Sequence, residues 1–379
     1  MVDTGTAFTL QGQIFLLMLM EIGGLGQMTM TLLLIAIFSE RVGLRQQVLA
    51  KEALGQEGSV NIIQLVKRIV LFAFIAQLIG TGIMAIRWVP EMGWVHGLYV
   101  SFFHAVSAFN NAGFSLFANN LMDYRDDPII SLTIAGLLIL GGIGFTVIVD
   151  LVRNRRWRKL KLHSKLMLLM TPALLLAGTL MFWLLEHNNP GTLGKAGIGG
   201  QLLAAFFQSA SARTAGFNTI DIGLMTPAAL LFLMMLMFIG AGATSTGGGI
   251  KVTTFAVVLL ATKAFLTKRP HVTAFGRTLS PQIVTRSLAI IIVSTMVLML
   301  AMFLLMVTED LPFDKIMFET ISAFATVGLS TGITASLSEP GKLILVLVMI
   351  CGRLGPLAFM LARPVETRIR YPEENVYTG

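Results

Sequence analysis

Charge is what this sequence has least of. Only 13% of its 379 residues are Asp, Glu, Lys or Arg, against about 25% in a soluble domain. That supply is too small to clothe a water-facing surface of this size, and 55% of the residues are hydrophobic. Cysteine is nearly absent. Cys351 stands alone in an apolar run, which excludes an internal disulfide framework and a cysteine-cluster metal site; it reads as a small packing residue. The leader Met1–Gln11 has Asp3 and no basic stretch, so the first apolar run is expected to be a membrane span, not a cleaved signal. No His/Asp/Glu constellation falls at membrane depth, and GATSTGGGIK lacks the Gly-Lys-Ser/Thr ending of a phosphate-binding loop. Neither an intramembrane enzyme nor an ATPase is indicated.

What the chain has instead is long apolar runs. Crossing a bilayer takes about 20 predominantly apolar residues. Seven segments qualify: Ile14–Phe38, Ile69–Ile86, Ile129–Val152, Leu166–Leu185, Ala228–Leu260, Leu288–Val307 and Leu343–Ala362. The fifth is too long for one straight crossing and is broken by Gly240–Gly249. Between the spans lie Gly97–Ser115, Gly200–Thr219 and Pro312–Thr331, each ending in Gly, Asn, Ser and Thr. They suit re-entrant half-helices. Irregular backbone at membrane depth needs protein or a water-filled cavity around it, so these stretches imply a cavity.

The net charge of +8 is unevenly spread. Arg41, Arg45, Lys51, Lys67 and Arg68, the run Arg153–Lys165, the group Lys263–Arg286 and the tail residues Arg363, Arg368 and Arg370 share one side. Glu91, Asp123, Asp126, Asp127, Glu186, Asp221, Glu309, Asp310, Asp314 and Glu339 take the other. Basic loops belong in the cytoplasm, so the half-helices open outward and the C-terminus lies inside. Basic residues confined to short loops speak for a lipid bilayer as partner and against nucleic acid.

The half-helices are copies of one another: SAFNNAGFS (Ser107–Ser115), ASARTAGFNT (Ala210–Thr219) and SAFATVGLST (Ser322–Thr331). Each carries a glycine (Gly113, Gly216, Gly328) with a phenylalanine ten residues earlier (Phe103, Phe206, Phe318). A second echo follows on the inner helices: Ile22–Gly26, Leu140–Gly144, Thr246–Ile250 and Cys351–Gly355. The division is 1–58, an inner helix and loop; 59–160, repeat 2; 161–278, repeat 3; and 279–379, repeat 4 with the tail. The fold class is an all-α polytopic membrane protein of tandem helix–pore-loop–helix repeats around a central pore, with one broken inner helix. Four inner-helix motifs accompany three filter loops. The expected native reading frame therefore starts upstream by roughly 60–80 residues, with an outer helix and a half-helix ending in Thr-Gly or Ser-Gly.

A potassium filter replaces the ion's hydration shell with rings of backbone carbonyls. Glycine suits the narrowest ring because it adopts dihedrals closed to other residues. The negative C-terminal ends of half-helices favour a cation there. Asn110, Asn111, Thr214, Asn218, Thr219, Thr326, Ser330 and Thr331 are expected to brace the strands. Arg353 lies in the last inner helix, where a charge costs roughly 2.5–3.5 kcal/mol. It reads either as a cavity-facing cation or as half of an ion pair with Glu21 or Glu319. His104 reads as a hydrogen-bonded packing residue, and Arg213 either braces the loop through an acidic neighbour or points to the mouth.

The motifs NNAGFS, RTAGFNT and ATVGLST, with GATSTGGGIKVTTF after the second, resemble those of the Trk/Ktr/HKT potassium transporters across essentially the whole chain. The compact repeats and the tail RYPEENVYTG are most similar to the membrane subunit of bacterial Ktr systems. The resemblance implies a potassium filter at Asn111, Ala112 and Gly113, at Thr214, Ala215 and Gly216, and at Thr326, Val327 and Gly328. It makes Gly240, Thr244, Ser245, Thr246, Gly247, Gly248, Gly249, Lys251 and Arg353 an intramembrane gate, the bland alternative for the loop being a packing kink. It further implies sodium-dependent potassium uptake without a covalent cofactor, a homodimer with one pore per subunit, the bacterial inner membrane, and a cytosolic nucleotide-binding ring called KtrA. In plant relatives the first filter position, Gly or Ser, influences preference for potassium over sodium, so that preference stays open here. The competing reading is an alternating-access secondary cation transporter, which usually has inverted repeats; here the three filter loops share one orientation.

Overall fold

A backbone in hydrocarbon must satisfy its own amides and carbonyls, so apolar runs of this kind become helices. The computed structural model describes residues 4–38, 62–243 and 245–354. Their regular structure is helical except for one small hairpin, Thr273–Ala274 against Arg277–Thr278.

Three described helices are long and apolar enough to cross a bilayer unaided: Val66–Met92 (within Ile62–Met92), Leu162–Glu186 and Pro281–Thr308. At most 33% of the residues in their most apolar windows are buried. They are therefore outer helices, with most of their surface left for lipid. The short helices between spans are the reverse. Every residue from Phe103 to Phe109 is buried in Trp94–Phe109, and every residue from Phe207 to Ser211 in Ile198–Ser211. Phe318–Thr320 and Ser322–Phe324 are buried in Phe313–Phe324. These are the half-helices, enclosed by protein as their exposed ends at membrane depth require.

The inner helices are Leu10–Phe38, Pro128–Ile143 with Phe145–Arg153, Pro227–Phe238 with Val252–Leu266, and Glu339–Leu354. Two begin on strong local signals. Asp127 accepts the amides of Ile129 (2.9 Å) and Ile130 (3.3 Å) ahead of Pro128, and Thr226 accepts that of Ala229 (3.4 Å) ahead of Pro227. A capping side chain followed by proline satisfies the first free amides and presets φ.

The third span departs from the straight crossing expected over Ile129–Val152. It bends by 88° between Pro128–Ile143 and Phe145–Arg153. Gly144 makes the turn at φ 97, a conformation that a side chain would strain. The fifth span breaks where expected, its helices stopping at Phe238 and resuming at Val252.

One tie recurs from unit to unit at the ends of the outer helices. The end of each outer helix grips the start of its own inner helix. Arg87 pairs with the cap Asp127 at 2.5 Å. Glu186, fully buried, accepts from the Thr226 amide (2.8 Å) and hydroxyl (2.6 Å). Glu309 accepts from the Ser338 amide at 3.0 Å and from its hydroxyl. Two chemistries thus close the same helix pair, an ion pair in the first unit and a carboxylate that takes an amide and a hydroxyl from one residue in the other two. The basic connection around Arg41–Lys51, the residue Thr244, Gly355 and the tail with Arg363, Arg368 and Arg370 lie outside the described residues.

Candidate functional site

Each half-helix ends in the same backbone sequence. Asn111, Thr214 and Thr326 have φ of 51, 74 and 52, and Gly113, Gly216 and Gly328 have φ of 73, 80 and 94. Between them Ala112, Ala215 and Val327 keep the ordinary negative sign. In an extended strand successive carbonyls point to opposite sides. Alternating the sign of φ turns them to one side, the arrangement that an ion-coordinating strand needs. A positive φ costs a non-glycine residue roughly 1–2 kcal/mol. Its repetition at Asn111, Thr214 and Thr326 marks these segments as held in place by their surroundings.

The three glycines meet. A Cβ built on Gly216 would stand 3.3 Å from the Gly113 Cα and 3.4 Å from the Gly328 Cα, and would strike the Val327 carbonyl. One on Gly113 would stand 2.6 Å from the Ala215 carbonyl and 2.9 Å from the Gly216 Cα. The middle strand therefore touches both of its neighbours at glycine level, and no side chain fits between them.

The strands are braced by residues that the sequence reading did not single out. Ser107 donates its hydroxyl to the Phe114 carbonyl (2.8 Å), Ser211 to that of Phe217, and Ser322 to that of Leu329 (2.6 Å). In each unit a half-helix serine reaches across the turn to the carbonyl just after the glycine. Ser211 is one residue later in register than the other two, yet makes the same bond. The signal was present in the repeated Ser-Ala of each motif. Of the expected braces, Asn110 donates to Glu21 (2.6 Å), Asn218 to the Ile220 carbonyl (2.9 Å), and Ser330 to Glu319. The hydroxyls of Thr219, Thr326 and Thr331 make no hydrogen bond among the described residues.

Removing one serine hydroxyl leaves its carbonyl partner short of a donor, at about 1–3 kcal/mol if it stays buried. Ser322→Ala should lower thermal stability in detergent, while Thr326→Val should affect stability less. Equal losses from the two would count against the serine brace.

The loop between Phe238 and Val252 lies directly beneath. A Cβ on Gly247 would strike the Thr214 side chain, and one on Gly248 would strike Thr326 and approach the Ala325 carbonyl at 3.2 Å. One on Gly249 would stand 3.3 Å from the Ala325 Cα. Three consecutive glycines thus press the loop backbone against the lower end of the strands. The loop is closed on itself by Gly240 N–H to the Ile250 carbonyl (2.9 Å), Val252 N–H to the Ala241 carbonyl (3.1 Å) and Lys251 Nζ to the Gly247 carbonyl (2.6 Å). Ser245 accepts the Gly247 amide at 3.3 Å.

Arg353 fastens the loop from the last inner helix. Its guanidinium donates to the Thr246 carbonyl and, at 2.8 Å, to the Gly23 carbonyl of the first inner helix. The two carboxylates considered as ion-pair partners are engaged elsewhere: Glu21 by Gln77 (2.9 Å) and Asn110, Glu319 by Ser330 and Thr334 (3.2 Å). Glu21, offered from the sequence only as a partner for Arg353, is instead a carboxylate on the first inner helix tied to the residue before Asn111.

Arg213 neither braces through an acidic neighbour nor lies open at the mouth. It is 7% exposed, and its Nε has no hydrogen bond. His104 bonds the Val100 carbonyl (2.8 Å) and Ser115 (3.0 Å) and stacks on Phe117, a packing role. Among the described residues no cluster of His, Cys, Asp and Glu could hold a metal ion.

The inner-helix glycines find their reason here too. A Cβ on Gly141 would collide with the Phe109 carbonyl, one on Gly352 with the Phe324 carbonyl, and one on Gly24 with Asn110. These helices pack against half-helix ends too closely for any side chain.

Comparison with known proteins agrees with this architecture. Residues 1–370 match the TrkH family, described as cation transport protein. Along its whole length the chain is 60% identical to Ktr system potassium uptake protein B of Vibrio alginolyticus, covering 84% of that protein. It is 46% identical to the protein of the same name from Bacillus subtilis, covering 85%. Against Potassium/sodium uptake protein NtpJ of Enterococcus hirae the identity is 36%, again over the whole chain and 85% of the relative. The crystal structure of the potassium transporter TrkH from Vibrio parahaemolyticus superimposes with a TM-score of 0.71 over 93% of this chain and 73% of that one. Its 19% identity makes this a likeness of fold. Helix pairs closed around buried half-helices and a match along nearly the entire sequence lead to one conclusion: the chain belongs to the TrkH family of cation transport proteins.

Proposed function

We propose that this chain is the pore-forming membrane subunit of a Ktr/Trk-type system and carries potassium into the cell. The observation that carries the reading is the convergence of Gly113, Gly216 and Gly328 on strands of alternating φ sign. Backbone carbonyls on such strands replace water around an unhydrated cation, and the half-helix C-termini beside them add a negative potential. Asn111, Ala112, Thr214, Ala215, Thr326 and Val327 supply the remaining strand carbonyls. The repeats 59–160, 161–278 and 279–379 are the units that each contribute one strand.

The glycine loop is the barrier beneath this filter. Its segment Ser245–Gly249 blocks the route, Lys251 and Arg353 hold it closed, and their charges oppose cation passage while it stays there. Sodium is the coupling ion; of the relatives above, the Enterococcus hirae protein is the one named for potassium and sodium uptake together. The subunit is a homodimer of the plasma membrane with its C-terminus in the cytoplasm. A cytosolic nucleotide-binding ring acts on the basic face formed by Arg153, Arg155, Arg156, Arg158 and Lys159. The three half-helices all end at one cluster, a parallel arrangement that favours a pore over alternating access between inverted halves.

Purified chain in proteoliposomes should take up potassium in preference to sodium, faster with sodium present outside. Arg353→Ala should raise the flux severalfold by removing one cation and one anchor of the loop. Potassium uptake no greater than in empty vesicles would overturn the function, and an unaltered flux in Arg353→Ala would remove that residue from the barrier.

A further inference from the structure

We propose that the helix break at Gly144 is the latch that holds the barrier loop in place, with Thr246 as its positioning residue. The proposal rests on reading the loop as the barrier.

Where an α-helix stops, its last four carbonyls lose their intrahelical partners. In Pro128–Ile143 these belong to Leu140, Gly141, Gly142 and Ile143. Inside a membrane protein they need donors, and the loop supplies them. The Gly142 carbonyl accepts the Gly242 amide at 2.8 Å. The Gly141 carbonyl accepts both the amide of Thr246, at 3.4 Å, and its hydroxyl, at 3.2 Å. A Cβ on Gly242 would stand 2.5 Å from the Ile143 carbonyl and 3.0 Å from that of Gly142, so the loop backbone lies flat on this helix end.

The need is mutual. The loop is irregular backbone at membrane depth, which persists only where protein satisfies it. Breaks in two inner helices, from different repeats, thus satisfy each other. Were Pro128–Arg153 a continuous helix, the amides of Phe145 and Thr146 would take the carbonyls of Gly141 and Gly142. The loop would then lose its acceptors. Gly144 prevents this by turning the chain through 88° at φ 97. Past the turn the amides of Val147 and Ile148 fold back on the Gly144 carbonyl, at 3.1 and 3.4 Å. The turned segment is anchored at its far end: Asp150 accepts the Ser164 hydroxyl at 2.5 Å and the Lys161 amide at 2.9 Å. The latch therefore connects the barrier to the connection between repeats 2 and 3.

The test compares potassium flux into proteoliposomes for the full chain and its variants. Alanine at Gly144 disfavours the turn and favours a continuous helix, so Gly144→Ala should raise flux. Thr246→Val removes the hydroxyl contact, whose proton the Phe109 carbonyl shares at 3.5 Å, and should shift the ratio of open to closed loop by about fivefold, the equivalent of one net hydrogen bond. Thr246→Ser keeps that contact and should lie much nearer the wild type than Thr246→Val. In a protein lacking residues 243–248, Gly144→Ala should add nothing.

Should Gly144→Ala fail to insert, the Thr246 pair decides alone. The latch is overturned if inserted Thr246→Val and Thr246→Ser give the same flux, or if Gly144→Ala raises flux equally without the loop. If loop deletion itself leaves flux unchanged, the barrier reading fails and takes the latch with it. If deletion raises flux while Gly144→Ala and Thr246→Val do not, the latch alone has failed.

Discussion

Gly216→Ser should abolish most potassium uptake and let sodium compete in what remains. The site combines two constraints that no other residue relieves. Its φ of 80 costs an L-residue roughly 1–2 kcal/mol. Its missing Cβ is also where two neighbouring strands come closest, with Gly113 and Gly328 Cα atoms 3.3 and 3.4 Å from that point and the Val327 carbonyl nearer still. Overpacking a close-packed site costs about 1–3 kcal/mol in displaced atoms. Here the displaced atom is a carbonyl of the adjacent strand, so the cost falls on the ring geometry. Selectivity depends on how carbonyls replace a particular hydration shell, and a widened ring discriminates less. A loss of tenfold or more in uptake corresponds to about 1.4 kcal/mol at the filter. Uptake measured with potassium and sodium in competition checks this. Unchanged rate and preference in Gly216→Ser would remove these strands from the ion path. Gly332, whose φ is 94 but whose Cβ would meet nothing, serves as the control, where Gly332→Ala should cost strain alone.

Deleting residues 243–248 should act in the opposite direction and raise flux strongly. The segment contains the Thr246 carbonyl that Arg353 holds and the Gly247 and Gly248 backbone that lies under Thr214 and Thr326. Its loss removes the proposed barrier together with the acceptor for Lys251. Helices Pro227–Phe238 and Val252–Leu266 both remain, and Ile239 and Ile250 already run side by side as a parallel bridge, so a shorter connection can join them. Flux should rise severalfold for potassium and sodium alike, because the filter above is untouched but passage is no longer interrupted. A fall in flux from a protein that still elutes as a single species would make the loop a structural support of the filter.

Much of this architecture is legible in the sequence because the bilayer imposes so few solutions. Runs of about 20 apolar residues can only be helices there. Three copies of a Phe-to-Gly pattern, each too short to cross, could therefore be recognised as half-helices. Gly240–Gly249 was readable as a break because consecutive glycines forfeit helix stability at roughly 1 kcal/mol each. The sharp bend at Gly144 was not. A single glycine inside an apolar run is common between membrane helices, and nothing local distinguishes Gly144, which turns the chain, from Gly141 and Gly142, which remain helical.

The partners of the polar residues were less legible still. Of the eight residues the sequence offered as braces, Asn110, Asn218 and Ser330 make hydrogen bonds while the hydroxyls of Thr219, Thr326 and Thr331 make none, and the carbonyls just after the filter glycines are held instead by Ser107, Ser211 and Ser322. The sequence offered Arg353 either a place facing the cavity or an ion pair with Glu21 or Glu319, without the Thr246 and Gly23 carbonyls to which this side chain donates, from residues over a hundred positions away. By itself the sequence determined the membrane class, the short half-helices and the glycines at their ends, because those follow from hydropathy and from the absence of a side chain, which are local properties. Which carbonyl meets which donor was decided only when four inner helices and three half-helices packed together. A hydrogen bond depends on distance and direction between groups, and the chain order does not contain those.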